Sequence, residues 1–332
     1  MLFLHKAFFE MCQRKKKYLV IVSGPTASGK SGLAMKLARR YTCSIISADS
    51  RQIYKGMDIG TAKPSVEELR EIKHYFIDLL PPEKPYSAGE FEKEAEEVLQ
   101  KELEENGVAI VCGGTAFYID SLLFGLDSFP KIPLEVKEKL NAELKEKGIG
   151  KLAEEVRRAD PETAAEIDLD NPRRVIRALS VIRHTQKPMS FFKQKKTKEL
   201  NYQPIFILLE PDREKLYQKI NDRVDAMVEK GLENEAGQLY ESHPQGSIET
   251  VGYTEWFDYF KGTISREECI RLIKRNTRRY AKRQLTWFRK QDYWQRFSGD
   301  RPGEIIQYAD QQINWNADQT NPPKNSSKDS YK

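Results

Sequence analysis

Along the first third of the chain, short apolar runs alternate with stretches of helical periodicity. Residues 17–23, KYLVIVS, form an apolar run of strand length rich in β-branched residues, which reads as a buried strand. Residues 30–41 repeat apolar positions at helical spacing, and 43–47 form a second strand. A short helix is predicted at 67–72 and a strand at 75–79. A long helix follows at 88–106, stopped by Gly107. Residues 108–112 are another buried strand, ended by Gly113-Gly114. Strands that alternate with helices predict a parallel α/β sheet. From 129 to 198 the pattern changes to charged helix with few strand signals. IFILL at 205–209 brings back one core strand, and long helices are predicted at 215–240 and 266–290.

This pattern predicts an α/β core interrupted by an all-helical insertion. Its parts are an N-terminal extension (1–16), a core (17–128 with 203–300) ending in a basic helix, and the insertion (129–202). The tail at 317–332 is rich in Asn, Ser, Lys, Pro and Asp, which cannot bury a core, and is expected to be disordered. Of 332 residues, 39% are hydrophobic, enough for a sizeable core and two or three domains. No run approaches the roughly 20 apolar residues of a membrane helix, so no membrane association is expected. The four cysteines lie far apart and there are only four histidines. That argues against a zinc site or a disulfide framework and fits a reducing, cytoplasmic setting. Near the N-terminus an apolar run precedes a basic cluster, the reverse of a signal peptide.

The first chemistry-bearing motif lies between the first strand and the first helix. Gly24, Pro25, Thr26, Ala27, Ser28, Gly29, Lys30 and Ser31 satisfy G-x-x-x-x-G-K-[ST] in the context that motif requires. Its glycines let successive backbone N–H groups face one anion, and the helix N-terminus adds positive potential. Lys30 supplies a point charge and Ser31 a hydroxyl for Mg²⁺. The motif specifies phosphate or diphosphate, not ATP. The core is therefore expected to be a phosphate-loop sheet of the NTPase and nucleotide-kinase type.

Two further turns sit at strand ends on the edge that faces the ligand crevice of open α/β sheets. Asp49, in Ala48-Asp49-Ser50-Arg51-Gln52, suits a general base or an ordinary helix cap. Thr115, after Gly113-Gly114, suits a substrate or metal-water contact, or again a cap. Arg223 suits a phosphate-closing lid arginine or a surface ion pair with a neighbouring acid.

The net charge of +5, from 55 basic and 50 acidic residues, is mild, so its distribution matters more than its sum. Arg173, Arg174 and Arg177 open a helix in the insertion. Residues 271–290 carry Arg271, Lys274, Arg275, Arg278, Arg279, Lys282, Arg283, Arg289 and Lys290, and no acid. Such a stripe lacks the acidic partners of an ordinary solvated helix, and a polyphosphate backbone is the economical partner. Ile273, Tyr280 and Leu285 are expected to supply apolar surface elsewhere on that helix.

Taken together these segments resemble the tRNA dimethylallyltransferases, the bacterial tRNA isopentenyl transferases. The matching stretches are GPTASGKS (24–31), ADSRQIY (48–54), GMDIGTAKP (56–64), YSAGEF (86–91), GGTAFYI (113–119), DNPRRVIRAL (170–179), DRVDAM (222–227) and RRYAKRQLTWFR (278–289). Ala116-Phe117 departs from the family's GGTGLY, and His74-Tyr75 from its paired histidines. The resemblance implies transfer of a dimethylallyl group from dimethylallyl diphosphate to N6 of adenosine 37, in tRNAs that read codons beginning with U. It implies Asp49 as base, Thr115 beside the acceptor amine, and Lys30, Arg223 and Mg²⁺ (at Ser31) around the diphosphate. It also implies tRNA anticodon stem-loop contacts at Asp49, Ser50, Arg51, Gln52, Thr115, Arg173, Arg174, Val175, Ile176, Arg177, Arg275, Arg278, Arg279 and Arg283. A monomer is expected.

Overall fold

The computed structural model describes residues 16–193, 198–242 and 250–314. The tail at 317–332, and all but Lys16 of the N-terminal extension, lie outside the described residues. The chain divides into two compact units, one of Met1–Leu123 with Leu200–Lys332 and one of Phe124–Glu199.

The first unit opens with β1 (Tyr18–Ser23), α1 (Lys30–Tyr41), β2 (Ile45–Ser47), α2 (Val66–Glu71) and β3 (His74–Tyr75). Next come α3 (Ala88–Asn106), β4 (Val108–Gly113) and α4 (Ala116–Phe124), which runs to the unit boundary. The second unit holds α5 (Leu134–Ala159), α6 (Pro161–Glu166) and α7 (Pro172–Thr185). The chain then returns to the first unit with β5 (Gln203–Leu209), α8 (Arg213–Glu229), α9 (Leu232–Ser242), α10 (Thr254–Phe260), α11 (Arg266–Phe288), β6 (Gln295–Phe297) and α12 (Pro302–Ile313).

The six strands form one sheet in the order β3-β2-β4-β1-β5-β6, and every pairing is parallel. Strand alternation sorts the core into two layers. Val20, Val22, Ile110, Ile205 and Ile207 face α1 and α12, and all five are buried. Leu19, Ile21, Ile46, Val111 and Leu208 face α3 and α4 on the other side. There Phe91 of α3 is fully buried and stacks on Tyr118 of α4, ring centroids 4.4 Å apart. A third cluster joins α8 to α11 around Trp256 and Tyr253 and takes in Met57 from the loop after β2.

Helix ends follow local chemistry. Ser65 and Ser87 form capping boxes with Glu68 and Glu90 at the starts of α2 and α3, and Ser265 caps α11. Helix α1 differs: its N-cap is Gly29 at φ 90°, with no side-chain cap and no acid in its first turn. Its free N–H groups are left for another partner.

The structure corrects two expected elements and adds others. The strand expected at 75–79 closes after Tyr75, because Phe76 and Asp78 take left-handed φ values of 64° and 53°. The single helix expected at 215–240 is two, α8 and α9, parted at Gly231 with φ 99°. Helices α4, α10 and α12 and the edge strand β6 have no counterpart among the expected elements. No helix among the described residues is long and apolar enough to cross a membrane. Cys43, Cys112 and Cys269 are buried free thiols.

Candidate active site

The carboxyl ends of β1, β2 and β4 come into register. Ser23 pairs with Gly113, and Ser47 with Cys112. Each strand runs directly into one of the three turns singled out above, so the turns share one edge of the sheet.

The phosphate loop curls tightly after β1. Gly24 lies at φ 153°, and a Cβ there would come within 2.7 Å of the Leu209 carbonyl oxygen and 2.8 Å of Ser28 Oγ. Ala27 is left-handed at φ 63°, and Ser28 N–H donates to the Pro25 carbonyl at 3.2 Å. Lys30 Nζ donates to the same carbonyl at 3.2 Å, so the lysine is folded back over its own loop. Burial pushes the Lys30 ammonium down, against a raising influence from Cys112 and Asp49. The Ser28 hydroxyl is buried with no hydrogen-bond partner among the described residues. An unpartnered buried hydroxyl in such a loop is suited to an anionic oxygen. Ser31 is exposed at the loop's exit.

Asp49 Oδ1 accepts from Arg51 N–H at 2.9 Å and from Gln52 N–H at 3.4 Å. One carboxylate oxygen thus closes a local turn, and the other accepts no hydrogen bond from the described residues. No helix begins here, so Asp49 is not the helix cap that was the alternative reading. Thr115 Oγ1 accepts from Ser50 N–H at 3.0 Å and donates to Ser50 Oγ at 3.3 Å. The Ala48 carbonyl accepts from Thr115 N–H at 3.2 Å, and Ala48 N–H donates to the Cys112 carbonyl at 2.8 Å. Gly113 packs so tightly on Ala48 that a Cβ would overlap its carbonyl. Asp49 and Thr115 are in this way fixed by one interlocked pair of turns.

Arg223 of α8 is half-buried. Burial lowers its affinity for a proton, while Asp49 opposes that shift, so the guanidinium lies in the field of Asp49. The acids beside it in sequence are engaged elsewhere: Asp222 accepts from Gln218, and Asp225 pairs with Lys274 at 2.6 Å. The surface ion-pair alternative for Arg223 is therefore not what the chain adopts.

Two residues missed in the sequence complete the site. Tyr280 of α11, expected as apolar surface or as a ring for stacking on bases, lies within the electrostatic reach of Asp49 and beside Thr115. Burial first, and Asp49 second, push its phenol up to about 12, so it stays protonated at neutral pH. Gln284, one turn on, is buried and bonds both glycine turns. The signal was available. Ile273, Tyr280, Gln284 and Phe288 lie on one helical row, and two polar residues in an apolar row need partners.

Gln52 is held by its own loop. Its amide nitrogen donates to the Thr61 and Ala62 carbonyls at 3.2 and 3.1 Å, and its oxygen accepts from Ser47 Oγ at 3.2 Å. That loop is itself pinned, since Asp58, Ile59 and Gly60 N–H all donate to Glu235 at 2.8–2.9 Å. Tyr253 hydroxyl donates to the same carboxylate at 2.7 Å. Lys63 reaches Tyr54 O and Asp58, each at 2.6 Å, and also pairs with Asp78.

The stripe on α11 is less bare than its own sequence suggests. Arg271 pairs with Glu268 on the same helix, Lys274 with Asp225, and Arg289 with Glu210. The remaining six cations have no carboxylate at ion-pair distance among the described residues. Of these, Arg275 meets Asn276, Arg278 donates to Asn221 at 2.6 Å, and Arg283 lies over the Tyr280 ring at 5.7 Å. Arg279 is exposed.

In the second unit, Arg173 and Arg174 are exposed in the first turn of α7, and Arg177 lies over the Phe129 ring at 5.0 Å. Val175, expected to contact RNA, is instead fully buried against Leu140, Leu152 and Leu179. An apolar side chain in the second turn of this helix turns inward, and it is unavailable to a ligand. Ile176 is partly buried against the same cluster.

A parallel sheet with a phosphate loop after its first strand and a carboxylate after its second defines a protein of the phosphate-loop class. The chain belongs to the IPP transferase family, whose model matches residues 52–291. It is 45% identical over 291 residues to a tRNA dimethylallyltransferase of Cytophaga hutchinsonii, covering 88% of this chain and 95% of that one. Among solved structures it is similar to the tRNA delta(2)-isopentenylpyrophosphate transferase of Staphylococcus epidermidis. There the identity is 38% and the TM-score 0.65, over 90% of this chain and 99% of that one. A eukaryotic dimethylallyltransferase acting on tRNA superposes with TM-score 0.75 at 26% identity, over 89% of this chain and 78% of that one.

Proposed function

We infer that this protein transfers a dimethylallyl group from dimethylallyl diphosphate to N6 of adenosine 37 in tRNA. One observation carries the chemistry. A carboxylate with a free oxygen, two cations in its field and an anion-binding loop converge on one sheet edge. The loop holds the diphosphate as a leaving group, with backbone N–H groups and the Ser28 hydroxyl around its oxygens. Lys30 and Arg223 face the charge that grows as the allylic C–O bond breaks. The adenine N6 attacks the allylic carbon, the C–O electron pair leaves with the diphosphate, and Asp49 accepts the N6 proton. An exocyclic amine is a weak nucleophile, so loss of that proton as the N–C bond forms is where a base helps most. Thr115, held by Ser50, orients the amine.

The donor set suits Mg²⁺, a hard cation that takes few protein ligands and uses phosphate oxygens and water for the rest. Ser31 would supply one such oxygen, and no group of three His, Cys, Asp or Glu side chains able to hold a metal ion occurs among the described residues. When bound, Mg²⁺ offsets negative charge on the diphosphate.

The acceptor base must leave the anticodon-loop stack, at a cost of a few kcal/mol. Phosphate contacts from the unpaired cations of α11, and from Arg173, Arg174 and Arg177, offset it. The deciding experiment supplies labelled dimethylallyl diphosphate and Mg²⁺ with tRNA, with AMP, or with neither. Label in tRNA alone is the expected result. Label in AMP with none in tRNA overturns the assignment.

A further inference from the structure

Gln284 lies on the helix that carries the cationic stripe, yet its side chain faces away from that stripe into the sheet edge. Its amide oxygen accepts from Thr26 N–H at 2.9 Å. Its amide nitrogen donates to the Gly114 carbonyl at 2.9 Å. Thr26 belongs to the phosphate loop, and Gly114 immediately precedes Thr115. The residue is only 6% exposed.

The chemistry demands this residue type. One end of the brace must accept from an N–H and the other must donate to a carbonyl, and the primary amide of Gln offers both in one plane without a change of protonation. A Glu would set an acceptor against the Gly114 carbonyl, and a Lys would set a donor against Thr26 N–H. The fit is also steric. A Cβ at Gly114 would collide with Gln284 Nε2, so the glycine and the glutamine are matched across 170 residues. Nothing in the reaction itself uses Gln284.

The geometry points to Gln284 as a positioning residue that sets the phosphate loop and the Thr115 turn at a fixed separation. This rests on the loop holding the diphosphate. The brace occupies Thr26 N–H, orienting the loop's mouth so that Ser28, Lys30 and the first turn of α1 face one point. On the other side it holds Gly114, and through it the Thr115 hydroxyl and the place of the acceptor amine. The brace therefore sets the distance between donor diphosphate and acceptor nitrogen, to which transfer rates are steeply sensitive.

The test replaces Gln284 with Met, close in shape and helix propensity but without the amide. A melting curve, tRNA affinity, affinity for inorganic diphosphate with Mg²⁺, and kcat and KM for dimethylallyl diphosphate are then measured. Diphosphate affinity is expected to fall about tenfold or more and kcat to fall with it, while tRNA affinity stays within about twofold of the parent. Gln284→Asn, one methylene shorter, carries the same expectation if the Met variant does not fold. Parent-like kcat and diphosphate affinity in either folded variant overturn the proposal. So does an equal loss of tRNA and diphosphate affinity, which marks a general packing defect. If the parent binds diphosphate but labels no tRNA, the assigned reaction fails and the diphosphate affinities alone decide the role of Gln284. A parent that does not bind diphosphate overturns both.

Discussion

The phosphate loop and the outer face of α11 both present positive potential, by opposite means. At the loop, the N-terminus of α1 is left without a side-chain cap, and a single ammonium is folded back over the turn. Along α11, five side-chain cations from Arg275 to Arg283 are spread over roughly 12 Å at 1.5 Å per residue, with Lys290 just past the helix end. The first arrangement is rigid and suits one compact anion. The second is adjustable and suits a chain of phosphates. Substitutions should therefore separate cleanly: loss at the loop falls on chemistry, and loss on the helix falls on binding.

Asp49→Ala should do the most to break or confirm that division. Transfer is expected to fall by roughly 10²–10⁴, with tRNA affinity nearly unchanged, as read by single-turnover kinetics beside filter binding. Wild-type turnover would remove Asp49 as the base. Lys30→Ala should raise KM for dimethylallyl diphosphate and slow transfer by roughly 10²–10³, the usual scale for removing a charge-stabilising donor. A loss confined to tRNA affinity would mean that the two regions are not separate.

The stripe is sharpened by a graded pair. Replacing Arg275, Arg278 and Arg279 together by Gln should raise KM for tRNA and reduce the salt slope of binding by about 1 for each phosphate no longer neutralised. Affinity for dimethylallyl diphosphate should stay put, and so should the melting temperature, because Gln keeps helix propensity. Arg271→Gln should do far less, since Glu268 already neutralises it. Equal effects would mean that the internal pairing does not matter.

The smallest effect concerns the second unit. Arg183 holds both Glu143 and Glu155, and its hydrogen bonds lower the Glu143 carboxyl to about 2 from 4.5. A lowered carboxyl stabilises the folded state above its unfolded pKa, and that contribution is lost as pH falls through the folded value. Arg183→Gln should thus lower the melting temperature by a few degrees at pH 7, and the gap should close between about pH 4.5 and pH 2. A gap that persists at pH 2 would assign the loss to packing instead.

What the sequence made legible was local. The bounds of α1 and α3 follow from periodicity plus Gly29, Ser87 and Gly107, and both match the structure. The phosphate loop is a contiguous motif in its required context. The omissions have physical causes. β6 is a short, largely polar edge strand, so it carries no apolar run. Gly231 was a visible stop signal inside an otherwise continuous periodic stretch, overridden by that continuity. The acid partners of Lys274 and Arg289 come from α8 and from just after β5, far away in sequence. Gln284 acts through bonds that span at least 170 residues, which no local window contains.

Glu235 gives the loop at 56–64 a thermodynamic character of its own. A carboxylate that gathers three consecutive N–H groups freezes that segment when the chain folds. Freezing one residue's backbone costs roughly 1–2 kcal/mol, and here that cost is met by folding rather than by ligand capture. Gln52, tied to Thr61 and Ala62, passes the same rigidity to the turn that carries Asp49. In the reaction proposed above, the turn that carries Asp49 therefore meets RNA preformed, so that little of the free energy of association is spent on ordering it.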